Sequence, residues 1–219
     1  MKKETTIIKA EDHYGDHCLS DALCNKRDNK VGPKGYVEIY ERDAYGNENM
    51  IGKSNLIVYN ARELIAQKIV NMVNSLAGPD LNEYLCWFGV GDGGANPGDP
   101  FNPNPPLNRD SGLYNDIPIS ATDATCADYH GGFFYKAPID EITFEQDPLN
   151  ENAWLILRTI TTLGMQRSVG YQINEAGLFT ALSNVPGYSG PFNLFARITF
   201  PTLVKTDTRE LVFIWYLFT

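Results

Sequence analysis

The sequence predicts a mainly β fold: an antiparallel, sandwich-like domain with one covering α-helix, a long proline-rich loop and an extended N-terminal arm. Three observations carry that prediction. The run Leu211-Val212-Phe213-Ile214-Trp215-Tyr216-Leu217-Phe218-Thr219 is apolar at almost every position. It is long enough for a strand and too short to cross a bilayer as a helix. Before it, Phe195, Arg197 and Thr199 alternate with Ala196, Ile198 and Phe200, the period of a half-buried strand. The composition, rich in Tyr, Phe, Asn, Gly and Pro and poor in His and Met, suits a β-rich, loop-rich body.

A strand apolar on both faces is usually covered on both, by a second sheet on one side and by a helix or a neighbouring chain on the other. Pro201 and the polar run Lys205-Thr206-Asp207-Thr208-Arg209 separate the two closing segments, so they are expected to pair as an antiparallel hairpin.

Residues 1–35 form a polar leader without either structural period, expected to be an extended arm that orders against a partner. It holds His13, His17, Cys18 and Cys24, the only clustered ligand types in the chain. Two imidazoles and two thiolates can complete a zinc tetrahedron. Against that reading, His17 and Cys18 are adjacent and a paired CxxC is missing, so no metal is expected. The four cysteines are expected to be free thiols, because nothing resembles a signal peptide.

Residues 36–219 are expected to be a single β-rich domain. Tyr36–Tyr40 alternates, 43–47 supplies turn residues, and Asn55–Tyr59 reads as a second strand. From Asn60 the period changes. Asn60 and Glu63 resemble a capping box, and Ala61, Leu64, Ile65, Ile69, Met72, Val73 and Leu76 make one apolar stripe that Gly78-Pro79 ends. This helix is expected to cover one sheet face.

Leu85–Gly94 reads as a buried strand running into a glycine-rich turn. Such a turn can aim amides at a phosphate, but no Lys-Ser/Thr pair or GxGxxG is present and no helix follows. The excursion 95–132, with Asn102-Pro103-Asn104-Pro105-Pro106, reads as a long surface loop. Its Asp110, Asp116, Asp123 and Asp128 lack calcium-loop spacing, and Cys126 and His130 lie apart from any nucleophile motif. Further strands are expected at 133–136, 139–144, 154–161 and 170–179, for a total of seven or eight. Glu175 has no evident catalytic partner. It is expected to be structural, accepting backbone N–H bonds or pairing with Arg62 or Arg197 near a turn that needs Gly177.

The charge narrows the partners. A net charge of −9 and a pI near 4.8 argue against general nucleic-acid binding and against anionic membrane surfaces. No transmembrane helix and no cofactor motif are read from the sequence.

Four collinear segments, spread over 36–94 and 133–219, resemble a set of tailed-bacteriophage virion proteins. Asn55-Leu56-Ile57-Val58 leading into Ala61-Arg62-Glu63-Leu64-Ile65-Ala66 is similar to their N-x-V-V-x-x-G-R-E-x-L-A opening, with Ala61 where Gly is common. Phe88-Gly89-Val90-Gly91-Asp92-Gly93 resembles their GxGxG strand end, and Ile173–Phe179 their I-x-E-x-G-L-F segment. Leu194–Phe200, Lys205 and Phe213-Ile214-Trp215 resemble their closing L-F-A-R-x-x-F … K … F-x-W. The resemblance implies a viral structural protein of the tail, baseplate or neck. It would work through contacts with other virion proteins and copies of itself, sit in the virion after assembly in the host cytoplasm, and have no enzymatic activity. The alternatives are a capsid-associated decoration or collar protein, or a receptor- or carbohydrate-binding fibre component. A sugar platform would require Trp87, Trp154 and the tyrosines to be exposed, whereas their apolar context predicts core packing. A glycosidase would require two carboxylates facing one cleft.

Overall fold

The computed structural model describes residues 34–54, 82–107, 109–146 and 155–218. Among these the protein is mainly β, with twelve strands and no helix, hence none long and apolar enough to cross a membrane. The first sheet contains β1 (Lys34–Asp43), β2 (Glu48–Ser54), β8 (Glu141–Gln146), β9 (Leu155–Leu163) and β12 (Arg209–Phe218), in the order β2-β1-β12-β9-β8. The second contains β3 (Tyr84–Gly91), β6 (Ala127–His130), β7 (Phe133–Pro138), β10 (Gln172–Ala181) and β11 (Asn193–Val204), in the order β11-β10-β3-β7-β6. The remaining strands, β4 (Ala95–Asn96) and β5 (Asp99–Pro103), pair with each other. Every pairing is antiparallel.

The pleat explains the core. Leu211, Phe213, Trp215 and Leu217 of β12 share one row and are buried with Val37 and Ile39 of β1. Phe88 and Val90 of β3, Ala176 and Leu178 of β10, and Ala196, Ile198 and Phe200 of β11 enter the same core from the other sheet. Phe213 bridges the two, with ring centroids 5.0 Å from Phe88 and 6.0 Å from Phe200. A smaller core lies on the far side of the second sheet, where Trp87, Phe179 and Leu194 are covered by Leu113, Tyr188 and Phe192. Trp87 is buried and donates its indole N–H to the Ser183 carbonyl at 2.8 Å.

The expected closing hairpin is not formed: β11 and β12 belong to different sheets. The physical reason is that both strands carry an apolar row. Paired side by side, their apolar rows would lie next to each other on one sheet, whereas in opposite sheets they face each other and Phe200 packs on Phe213 through the core. The link between them is held by Lys205, which is 1 % exposed and donates from Nζ to the Met165 carbonyl at 3.1 Å and the Thr206 carbonyl at 2.7 Å.

Other expectations shift. A strand begins directly after the first turn, at Glu48, where Arg42 and Glu48 pair across the turn at 2.7 Å and Asp43 accepts from the Tyr45 and Asn47 amides. The expected strand 55–59, the helix from Asn60 to Leu76, Trp154, and His13, His17, Cys18 and Cys24 of the arm lie outside the described residues. The excursion 95–132 is not all surface. It supplies β4, β5 and β6, and buries Ile117, Ile119 and Cys126, since its apolar residues complete the core. The strands outnumber the seven or eight expected because the short ones carry no two-residue alternation.

Two outcomes check this packing. Trp215→Ala should cost about 3–5 kcal/mol, as large-to-small changes in packed cores do, and an unchanged denaturation midpoint would make the residue peripheral. Burial pushes the Lys205 ammonium down to about 8, against weaker opposing influence from Glu210 and Asp207. Between that value and its ordinary 10.5 the unfolded chain binds the proton that the folded chain has released, so this group makes stability rise with pH across that window. Burial pushes the Cys86 and Cys126 thiols up to about 11, which pulls the other way above their ordinary 9.0. The Lys205 effect is therefore read as a difference: the parent should gain stability relative to Lys205→Met as pH rises from 8 to 10 in parallel urea titrations.

Candidate functional site

Three of the sequence motifs meet on the outer face of the second sheet. Cross-strand register sets Gly91 of β3 beside Glu175 of β10, and Gly177 between Gly89 and Arg197. Glu175 and Arg197 are both 0 % exposed. The Arg197 guanidinium donates from Nε at 2.9 Å and from Nη2 at 2.5 Å to Glu175 Oε2, and from Nη1 at 2.6 Å to Asp110 Oδ2. The Tyr114 ring lies over it at 3.4 Å.

Glu175 takes three further bonds from backbone. Its Oε1 accepts from the Gly93 amide at 3.1 Å and the Asn115 amide at 2.9 Å, and its Oε2 from the Tyr114 amide at 3.1 Å. A carboxylate has about four lone-pair sites, so this one is saturated. It has no capacity left to serve as a general acid or base. The glycine-rich turn is used in the same way. Its amides do face an anion, but the anion is Glu175 of the same chain, while the Gly94 amide donates to Asn174 Oδ1 at 2.6 Å. Glycine is required here by close approach: a Cβ at Gly91 would collide with the Asn115 carbonyl and Glu175, and one at Gly94 with the Asn174 carbonyl.

Four of the five aspartates of the excursion find a cation on the strand body or its loops. Asp110 takes Arg197, Asp116 takes Lys136 at 3.0 Å, Asp128 takes Lys136 at 3.6 Å, and Asp123 takes Arg167 at 2.7 Å. Burial alone would raise the Asp123 carboxyl. Bonds from Thr125 and Arg167 outweigh it and hold the group down at about 2. Lys136 is buried and lies 4.6 Å from the Phe179 ring centroid. These ion pairs account for the acidic residues without an ion, and among the described residues no group of His, Cys, Asp and Glu could hold a metal. Cys126 is buried, whereas the His130 side chain is mostly exposed and stacks on Tyr135 at 4.0 Å.

Beside the clasp lies an open polar cleft of about 490 Å³, with Asp92, Asn96, Asn104, Asn115, Gln172 and Asn174 in its walls. Asn115 donates to Asp92, and Asn174 donates to Thr202 at 3.1 Å, so the walls are partly self-bonded. Amides and one carboxylate can hydrogen-bond a neutral polar ligand, but they supply no nucleophile–base pair. The sequence pointed to Glu175, Arg197 and Gly177. It missed Lys136 and the Glu83 carboxylate that accepts from Thr180 and Asn193, because a lone charge looks solvent-facing until its neighbours are known.

In comparisons with protein-family models, with curated proteins and with solved structures, nothing matches this chain.

The clasp has a direct test. Glu175→Gln should destabilise the fold by about 3–5 kcal/mol, since it leaves the Arg197 charge buried without its main partner. It should also expose the 104–116 segment to protease. Parent-like stability and digestion would mean that the pair does not hold this segment.

Proposed function

We propose that the protein is a structural subunit of a tailed-phage virion, associated with the tail, baseplate or neck. It works through contacts with other virion proteins and copies of itself, resides in the particle, and has no catalytic activity of its own. One observation carries the reading. Three of the segments that resemble the virion set converge on a single buried clasp whose polar groups are spent on holding the fold. A reaction centre keeps a reactive group free; an assembly module needs rigid, saturated interiors and acts through its exterior.

The domain in this reading is a sandwich-like body with one covering helix. The outer face of the first sheet supports that helix: Val212 and Ile156 lie on its outer row and are buried, yet neither belongs to the core between the sheets. The apolar stripe Ala61–Leu76 has the period and length to cover them. The residues ahead of β1 serve as the assembly arm, which therefore ends before Lys34 and not at Gly35, without a metal, cofactor, nucleic acid or membrane as partner.

A second reading, a carbohydrate-binding fibre component, is favoured by the amide-lined cleft, whose exposed neighbour Phe101 offers an aromatic face. The burial of Trp87 counts against a broad aromatic platform.

Mass spectrometry and density maps of purified particles from the phage encoding this chain decide between them. Copies at fixed stoichiometry in tail, baseplate or neck are expected, with no release of sugar from host polysaccharide by the purified protein. Infectious particles lacking the chain would overturn the reading, as would polysaccharide cleavage lost on changing one carboxylate.

A further inference from the structure

We propose that the core between the sheets binds an ordered water, held by the indole N–H of Trp215 and the hydroxyls of Thr159 and Thr161. The site is a property of the fold and does not depend on the virion reading. Trp215 stands opposite Thr159 in the ladder of β12 with β9, and Phe213 opposite Thr161. Phe213 and Trp215 belong to the row that fills the core between the sheets, so both threonines face that core. Trp215, Thr159 and Thr161 are all 0 % exposed. Yet Trp215 Nε1, Thr159 Oγ1 and Thr161 Oγ1 have no hydrogen-bond partner among the described residues.

The grouping is specific. One other buried side-chain polar atom among the described residues lacks a partner, Thr143 Oγ1, and Thr143 stands opposite Arg158, in the other row. The inward row of β9 reads Leu155, Leu157, Thr159, Thr161, Leu163, so hydroxyls stand only at the two positions beside the indole. Apolar filling alone would be met by valine, which has the shape of threonine without the hydroxyl. Trp87 shows what a buried indole ordinarily does: it donates to the Ser183 carbonyl at 2.8 Å. Leaving a buried donor or acceptor unmet costs the full desolvation of that group, and one ligand that meets all three removes the cost at a stroke.

The chemistry of the three groups selects the ligand. An indole N–H only donates, whereas a threonine hydroxyl both donates and accepts. The ligand must therefore accept at the indole and can exchange bonds of either sense with the hydroxyls. The inward rows from Leu155 to Leu163 and from Leu211 to Leu217 carry no charged side chain. An anion would lie there without a counter-charge, and a cation would face the positive end of the N–H, so the ligand is neutral. The sheets are close-packed at this level, with the Phe213 ring against Phe88 and Phe200, so a ligand larger than water would have to part them. Reach fits as well. Cβ atoms directly opposite in a ladder lie about 4.5–5.5 Å apart and diagonal ones about 7–8 Å. A water with bonds of about 2.8–3.0 Å on each side spans such gaps, and buried waters typically make about three bonds.

NMR of the isotope-labelled full-length chain tests the proposal. The Trp215 indole N–H resonance is identified as the one missing from the spectrum of Trp215→Phe. In the parent it should show a cross-peak to water with opposite signs in NOE and ROE spectra, the signature of a water that tumbles with the protein. The Trp87 indole, bonded to a carbonyl, should show none. Thr159→Val/Thr161→Val should lose the Trp215 cross-peak and unfold at a lower urea midpoint than the parent. Two shape-conserving changes then strip the water of two partners and leave the indole unmet. Idle hydroxyls would give the reverse, a midpoint above the parent's. The absence of a water cross-peak at Trp215 in the parent would overturn the proposal, because a protein group from outside the described residues would then be what meets the indole. A cross-peak that persists in the valine variant, or a variant midpoint at or above the parent's, would also overturn it. The parent spectrum decides by itself if the valine variant does not fold.

Discussion

A guanidinium without solvent exposure sets the terms for the second sheet. Burying Arg197 would cost several kcal/mol if its charge were not matched and its donors not accepted. Glu175, one strand away, supplies the match, and Asp110 and the Tyr114 ring complete the enclosure. The rest follows from sterics. For the loop carrying Asp110, Tyr114 and Asn115 to lie flat on the sheet, the strands beneath must lack side chains where it touches. Gly91 and Gly177 are placed there, and a Cβ at Gly177 would crowd Leu113 and Leu194. The ion pair, the glycines and the loop thus stand or fall together.

The same logic extends along the proline-rich excursion. Prolines remove donors from this segment, so its ladders are short: among the described residues β4 pairs only with β5, and β6 only with β7. Its aspartates add to that hold, on Arg197, Lys136 and Arg167, while Ile117 and Ile119 anchor it in the core. Each attachment combines one partly or fully desolvated charge pair with nearby apolar burial, which makes the loop a covering layer for the smaller core around Trp87 and Phe179. A loop so fixed offers a defined outer surface. It also leaves the cleft beside it with preset walls.

Charge is managed differently at the two ends of the molecule. Inside, every charged group of the clasp is matched, and Lys205 at the crossing between sheets is met by carbonyl oxygens. At the β8 edge the acidic residues remain exposed beside unburied Ile142 and Phe144.

The sequence by itself determined the class of the fold and most of its strands. Two-residue alternation at Tyr36–Tyr40 and Phe195–Phe200 and the apolar run 211–218 report burial through the pleat, which is a local property. It also singled out Glu175 as structural, with Arg62 or Arg197 as its possible cation, because a carboxylate inside an apolar strand must find a partner; only the fold chose Arg197. What it could not determine is which strands are neighbours. The closing segments read as a hairpin because a short polar link permits one, and only the tertiary structure placed β11 and β12 in opposite sheets, where Phe200 meets Phe213. Likewise Ile117, Ile119 and Lys136 gave no local sign of burial, and β2 and β5 no alternation, because their environments are made by residues distant in the chain. Periodicity is encoded along the strand, whereas the partner across the core is chosen by packing and charge matching among segments that meet only once the chain has folded.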